Sequence, residues 1–569
     1  MPEYQSPGVY VEEVDTGTKS VEGASTSTAG FLGETERGPV KPQFVTSFGQ
    51  FKRIFGSSPA SSDLDAAIDG YFKNGGSRCY VGRVTAADHD DIATAKLADS
   101  DDESVLELSA NGPGEWGNSV ATIVSEGRGD YFDLTVRYWS TDIETVDQPA
   151  AEEPRPAPDL QHTYEDLSTD PQSSQFYEKQ LSGSVLIDAE YLADGRPTAG
   201  LTWLSTTSPV ASAASDGGTP QQAVEIPDDL DDKKKAELKE IGEPLELDVN
   251  QKKAELKEEL EAIRDGDMEV DVEVASDLSS KPETDDVTLG DYEGVDQPGM
   301  RTGLAGFEQH DDISLVCVPD ENEITGLTDS IVAHCENKGD RFAVLQAPQV
   351  AGAVSDMETP VDSSYAGYYY PWIKVADPHT NRQKLVPPGG HIAGIIARSD
   401  STHGVHAAPA NESVRGAVEL QHDITKDEQD LLNPKGINCI RSFQGRGIQL
   451  WGARTCSSDP SWKYINVRRL FLYVEQSIEE GTEWAVFESN DRDLWARVRQ
   501  SVENFLTTVW RDGGLQGKTA DEAFYVKCGE ETMTQDDIDN GRLIVEIGIS
   551  PVKPAEFVIF RIGQWTADA

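Results

Sequence analysis

Apolar positions along the chain fall into strand-length runs and helical stripes, grouped in two blocks with a long polar stretch between them. Ala29-Gly30-Phe31-Leu32-Gly33 is a continuous small and apolar run, which predicts a buried strand. Phe48, Phe51 and Phe55 share one face of a helix over 48–55. A second helix over 64–72 is stopped by Asn74-Gly75-Gly76, and Cys79-Tyr80-Val81-Gly82-Arg83-Val84 reads as the next strand. Strand, helix, strand in that order predicts an α/β layer. The same text resumes at 313–319, a buried strand, and continues with a helix over 324–338 and Phe342-Ala343-Val344-Leu345. Tyr368-Tyr369-Tyr370-Pro371-Trp372 then leads to Pro387-Pro388-Gly389-Gly390-His391. Toward the end, Val467, Leu470, Phe471, Val474 and Ile478 mark one amphipathic helix. Leu494, Trp495, Val498, Val502, Phe505, Leu506 and Val509 mark a longer one.

Between the blocks, residues 85–302 follow a different pattern. Val105-Leu106-Glu107-Leu108 and Phe132-Asp133-Leu134-Thr135-Val136 predict paired strands around Gly114-Glu115-Trp116-Gly117-Asn118. Residues 149–158 are a Pro/Ala/Glu-rich spacer. Lys234-Lys235-Ala236-Glu237-Leu238-Lys239-Glu240 nearly repeats as Lys252-Lys253-Ala254-Glu255-Leu256-Lys257-Glu258. Each copy suits a solvated helix, and Gly242-Glu243-Pro244 separates them, so 228–265 is expected to be a charged helical segment standing off the body.

The two ends read as arms. Val9-Tyr10-Val11 is a brief strand signal followed by a small, polar, loop-like stretch to Thr28. About twelve extended residues reach roughly 40 Å, enough to touch a neighbouring molecule, and a frayed terminus fits the same residues. At the other end, alternation along 557–565 puts Phe557, Ile559 and Arg561 on one face and Val558, Phe560 and Ile562 on the other. Both faces are largely apolar, so this strand requires cover on both sides, from its own domain's sheet or from another chain.

Composition narrows the function. With 102 Asp and Glu against 48 Lys and Arg, the chain carries a formal net charge of −54, spread along its whole length. Nucleic acid and anionic membrane are therefore excluded as partners. At molar salt the screening length falls to about 3 Å and self-repulsion fades, so a salt-in, haloarchaeal setting is expected, with an acidic surface selected for solubility as the alternative. Length predicts several domains. Met1-Pro2-Glu3-Tyr4-Gln5 is polar and no run approaches the roughly 18 apolar residues of a membrane span, so neither secretory export nor membrane insertion is expected. Six cysteines without C-x-x-C spacing predict buried or free thiols in a reducing compartment.

No enzyme constellation emerges. Pro388-Gly389-Gly390-His391 has the look of an oxyanion loop but lacks a Gly-x-Ser-x-Gly partner. Gln444-Gly445-Arg446-Gly447 lacks the Lys-Ser/Thr of a phosphate loop. His403 and His406 have metal-compatible spacing without a third ligand. Neither catalysis nor a metal or other cofactor is expected.

The stretch 436–510 carries Trp451-Gly452-Ala453-Arg454-Thr455, Trp462-Lys463-Tyr464-Ile465-Asn466 and the two amphipathic helices in order. It resembles the C-terminal domain of contractile-tail sheath proteins of myovirus tails and phage-like injection particles. Pro7-Gly8-Val9-Tyr10-Val11-Glu12-Glu13, the block 29–84 and the pentapeptide at 114–118 resemble other parts of the same family, whereas 141–302 departs from it.

The resemblance implies a mixed α/β and α+β, multidomain fold. Its parts are a linking arm at 1–24, an α/β sheath domain at 25–84 plus 303–400, a variable β-rich outward-facing insertion at 85–302, a tube-facing domain at 401–554 and a linking strand at 555–569. It also implies self-assembly as hexameric rings or a helical sheath around an inner tube protein, with baseplate and terminator or cap proteins as further partners, in a virion tail or phage-like particle assembled in the host cytoplasm. Val9, Tyr10 and Val11, together with Phe557, Val558, Ile559, Phe560 and Ile562, would then pair between subunits. Arg492 and Arg499, seven apart on one helix, become candidates for facing the tube. A non-contractile tube or capsid component is the alternative.

Overall fold

A computed structural model describes residues 21–88, 91–129, 131–206, 286–350, 352–377 and 382–561. The parts before and after the 207–285 stretch belong to one compact unit. The arm residues Val9, Tyr10 and Val11, the charged repeat at 228–265 and Ile562 lie outside the described residues.

The two α/β blocks build a single sheet. Its strands are β1 (Ala29–Glu34), β2 (Gln43–Val45), β3 (Cys79–Val84), β4 (Leu315–Cys317), β5 (Phe342–Gln346), β6 (Ala366–Tyr370), β7 (Glu412–Ser413), β8 (Ile437–Phe443) and β9 (Gly447–Leu450). Across the sheet they run β7-β9-β8-β6-β5-β4-β1-β3-β2. The six from β3 to β8 are parallel, with Ala29 opposite both Cys79 and Leu315. Antiparallel strands finish both edges. Residues 85–302 interrupt the chain between β3 and β4 yet leave the sheet continuous. Strands β7, β8 and β9 come from beyond residue 400, so the sheet extends past the α/β stretch expected from the hydrophobic pattern.

Parallel strands covered on both faces must be apolar on both, which is why their sequences run without alternation. Phe31, Phe342 and Val344 point into one core, with helices α1 (Phe48–Phe55) and α2 (Leu64–Asn74). Leu32, Ala343 and Leu345 point into the other, against Phe307 and helix α3 (Leu327–Lys338). The stretch read as loop-like at Pro388-Gly389-Gly390-His391 instead opens helix α4 (Gly389–His403). Its glycines serve packing: a Cβ on Gly390 would stand 2.2 Å from the Ala67 carbonyl oxygen, and one on Gly394 would stand 2.4 Å from that of Tyr71. Helix α4 thereby crosses α2 at backbone contact distance, with His391 buried between them and held neutral, since burial lowers its pKa to about 3.

The inserted residues that are described form two small antiparallel sheets. One contains Val120–Glu126 and Phe132–Tyr138, and the other contains Thr94–Ala98 and Ser104–Ala110. The two runs read from the sequence as a pair, 105–108 and 132–136, are both strands but sit in different sheets, the first between Thr94–Ala98 and Ile187–Tyr191 and the second between Val120–Glu126 and Leu160–Leu167. After β9 come helix α5 (Ile465–Thr482) and helix α6 (Arg492–Arg511), whose Leu470, Val474, Val502, Phe505 and Leu506 share one core. Asp491 caps α6 by accepting from the backbone N–H groups of Asp493 and Leu494. All six cysteines are buried and unpaired.

Candidate functional site

The C-terminal segment divides sharply at Glu556. Upstream the chain is tied to the body: Val552 N–H donates to the Gly514 carbonyl at 3.2 Å, and the Asn466 amide donates to the Val552 carbonyl at 3.1 Å. Glu556 receives Arg454 in a fork, Nε on Oε1 and Nη2 on Oε2, both at 2.7 Å. Asn433 Nδ2 adds a bond to Oε1 at 2.8 Å, and Tyr464 Oη one to Oε2 at 3.1 Å. Burial alone would raise this carboxyl's pKa, but the bonds from Arg454 and Asn433 hold it at about 2. Beyond it, Phe557, Val558, Ile559 and Phe560 are 70%, 71%, 78% and 83% exposed. They form no strand pairing within the described residues. A groove of about 670 Å³ runs beside this root, lined by Lys426, Arg441, Trp451, Phe557 and Val558 among others.

The root of the N-terminal segment lies on helix α5. Val21 packs into the core between α5 and α6, and Ala24 N–H donates to Ser477 Oγ at 2.9 Å. Arg469 forks onto Asp400 at 2.7 and 2.6 Å and also donates to the Thr26 carbonyl at 2.6 Å. This pair is buried, and it joins α4, α5 and the outgoing chain at one point.

The structure brings Arg492 and Arg499 together in a shallow cleft with Glu530 and Glu531. Arg492 is exposed and already paired with Glu530, so an acidic partner would have to displace that contact. His403 bonds to the neighbouring Thr402 hydroxyl at 2.8 Å, while the His406 ring sits against Gly404. Among the described residues, no group of three His, Cys, Asp or Glu could hold a metal ion. No helix among them is long and apolar enough to cross a membrane.

One further position bears on chemistry. In doubly wound sheets, ligands lie at the carboxyl ends of the strands where the strand order reverses, commonly on a helix N-terminus. Here that point falls between β1 and β4, and the chain fills it from within. Asp320, just after β4, accepts from Ser62 Oγ at 2.6 Å and from Asp63 N–H at 2.9 Å, taking the N-terminus of α2. Burial raises its pKa to about 7 despite those bonds, with the charges of Asp63 and Glu34 adding to the rise. Glu321 beside it is buried as well and accepts from Gln346 N–H at 2.6 Å.

Sequence reasoning found the apolar terminal run but missed both arginine forks. Arg454 lies in the Trp451–Thr455 motif, and Glu556 is the lone acidic side chain immediately before the apolar run, which was the available signal.

Residues 293–456 match the phage tail sheath protein central domain, and residues 457–564 match the phage tail sheath C-terminal domain. A tail sheath protein of Vibrio phage KVP40 is 27% identical over 220 residues, covering 38% of this chain and 31% of that relative. The chain thus matches about a third of that relative's length. In fold it is similar to the sheath of an extracellular contractile injection system, PVC, in the contracted state, with a TM-score of 0.52 at 20% identity over 99% of both chains. It is likewise similar to a sheath tail protein of Listeria innocua, with a TM-score of 0.55 at 13% identity over 94% of both. On this mixed α/β framework the chain thus carries, in order, the central and C-terminal domains of phage tail sheath proteins.

Proposed function

We propose that this protein is the repeating subunit of a contractile sheath, which polymerises around an inner tube and shortens to drive that tube through a cell envelope. One observation carries the reading: four consecutive large apolar side chains, Phe557 to Phe560, stand exposed and without strand pairing among the described residues, whereas the central strands are covered. Such a segment is completed by adding to a sheet of another copy. The N-terminal residues Val9, Tyr10 and Val11 are its counterpart from the other end, and Ile562 continues the strand. Linked strands keep subunits connected while the bodies repack between two lattice states, so the stroke draws on a stored difference in packing and needs no nucleotide.

In this reading the protein is not an enzyme. Its domains are the arm at 1–24, the α/β domain at 25–84 plus 303–400 with its sheet completed by β7, β8 and β9, the outward insertion at 85–302, the tube-facing domain in the rest of 401–554 and the linking strand at 555–569. Arg492 and Arg499 are the tube-facing candidates, and baseplate and cap proteins close the two ends of the sheath. The net charge of −54 suits assembly in a haloarchaeal cytoplasm, where salt relieves self-repulsion.

Electron microscopy of the purified chain in multimolar KCl tests the reading. Hollow tubes with a toothed cross-section are expected. Discrete globular particles at every salt and protein concentration would count against self-polymerisation.

A further inference from the structure

We propose that the fork between Arg454 and Glu556 is the positioning clamp of the C-terminal arm: it fixes the point and direction at which 557–560 leave the body, so that the strand meets a second copy of this chain in register. The inference rests on the sheath reading above and concerns a residue pair that acts through the arm.

Three observations carry it. Glu556 is the only residue of 555–561 that is not exposed, so the segment's attachment to the body converges on one carboxylate. That carboxylate is held by groups from three stretches of chain, Asn433, Arg454 and Tyr464, with Lys463 Nζ 3.6 Å from Oε2. Arg454 is itself fixed to the central sheet. Its backbone N–H donates to Asn438 Oδ1 at 2.7 Å, and its carbonyl accepts from Asn438 Nδ2 at 2.8 Å. Asn438 is fully buried in β8. Arg454 Nη1 also donates to the Asn433 carbonyl at 2.8 Å.

A planar fork on a rigid strand defines a direction as well as an attachment, which a single flexible ammonium does not. Arg454 and Glu556 are mostly buried, so salt screens this pair less than an exposed pair such as Arg492–Glu530. A strand displaced by one residue presents the wrong face to its partner sheet, so a small error at the root is amplified along the arm.

The test uses the full chain in multimolar KCl with Glu556→Gln, Arg454→Lys and a deletion of 557–569. Thermal unfolding reports the fold, while sedimentation and microscopy give the critical concentration for assembly. Both substitutions are expected to leave the fold intact and to raise the critical concentration by about tenfold or more, because bonds to a charged group are lost. Arg454→Lys keeps the positive charge and loses the fork together with the Nη1 bond to the Asn433 carbonyl, so a rise comparable to that of Glu556→Gln is expected from it. The deletion should abolish assembly of a folded monomer. Assembly of Glu556→Gln and Arg454→Lys at the wild-type concentration, with the deletion inactive, overturns the clamp and leaves the arm reading standing. Normal assembly of the deletion overturns the arm reading and the clamp with it. If either substitution unfolds the chain, Tyr464→Phe and Asn433→Ala each remove one bond to the same carboxylate, and unchanged assembly in both overturns the clamp.

Discussion

Phe342-Ala343-Val344-Leu345 and Phe557-Val558-Ile559-Phe560 are nearly interchangeable as sequences, and the molecule treats them oppositely. The first is fully buried in β5, paired on both edges and covered on both faces. The second is mostly exposed and paired with nothing among the described residues. Burying a large apolar side chain stabilises by about 1.5–3 kcal/mol, so the terminal run leaves several such contributions unused in the isolated chain. Apolar strand chemistry therefore serves two ends here. Inside the sheet it holds the subunit together, and at the terminus it is available to join subunits. The carboxylates beside the two regions differ in the same way. Asp320 is buried at the sheet's switch point and resists ionisation, whereas Glu556 at the arm root is held ionised by Arg454.

If that division is correct, substitutions in the body should act on stability and substitutions at the terminus on assembly. The largest stability effect is expected from Asp400→Ala, which strands the buried Arg469 guanidinium and should cost about 3–5 kcal/mol in denaturant unfolding. A loss below about 1 kcal/mol would mean that the three-way junction at Arg469 contributes little to the body.

An intermediate effect should appear with pH. The folded pKa of Asp320, about 7, lies above its unfolded value of 3.8. Its contribution is thus fully present below about pH 4 and is lost as pH rises through 7. Glu556 has the opposite sign: its folded pKa of about 2 lies below 4.5, so its contribution is present above pH 4.5 and fades as pH falls through 2. Asp320→Asn should flatten the decline in stability between about pH 4 and 8 and leave the acid limb unchanged. An unaltered decline would place its origin elsewhere.

The smallest stability effect belongs to the terminal run. Phe557→Ser with Ile559→Ser should shift unfolding by less than about 0.5 kcal/mol, because both side chains are mostly exposed, yet tubes should no longer form. A large drop in stability would show that the run belongs to its own subunit's core and would dissolve the contrast.

Much of this was legible locally. Side-chain direction repeats every two residues in a strand and about every 3.6 in a helix, so Phe31, Phe51, Val474 and Phe505 announce their own burial. The helix over 48–55 and the strand over 79–84 stand where the pattern put them. Helix α4 was not legible, because Pro-Pro-Gly-Gly reads as a break when propensity is considered alone. Its glycines are explained only by α2 lying against them.

The sequence by itself determined which segments would be apolar strands and helices, that acidic residues would outnumber basic ones along the whole chain, and that the terminal run would need cover on both faces. Tertiary structure alone decided that β8 and β9 join a sheet begun at the opposite end of the chain, and that Asp320 would fill the crevice between β1 and β4. It also decided that Arg469 would meet Asp400 and Arg454 would meet Glu556, partners 69 and 102 residues apart. Periodicity is a local property of the backbone and is written in neighbouring residues. The partner of a buried charge is set by how distant elements cross, and no spacing along the chain records that.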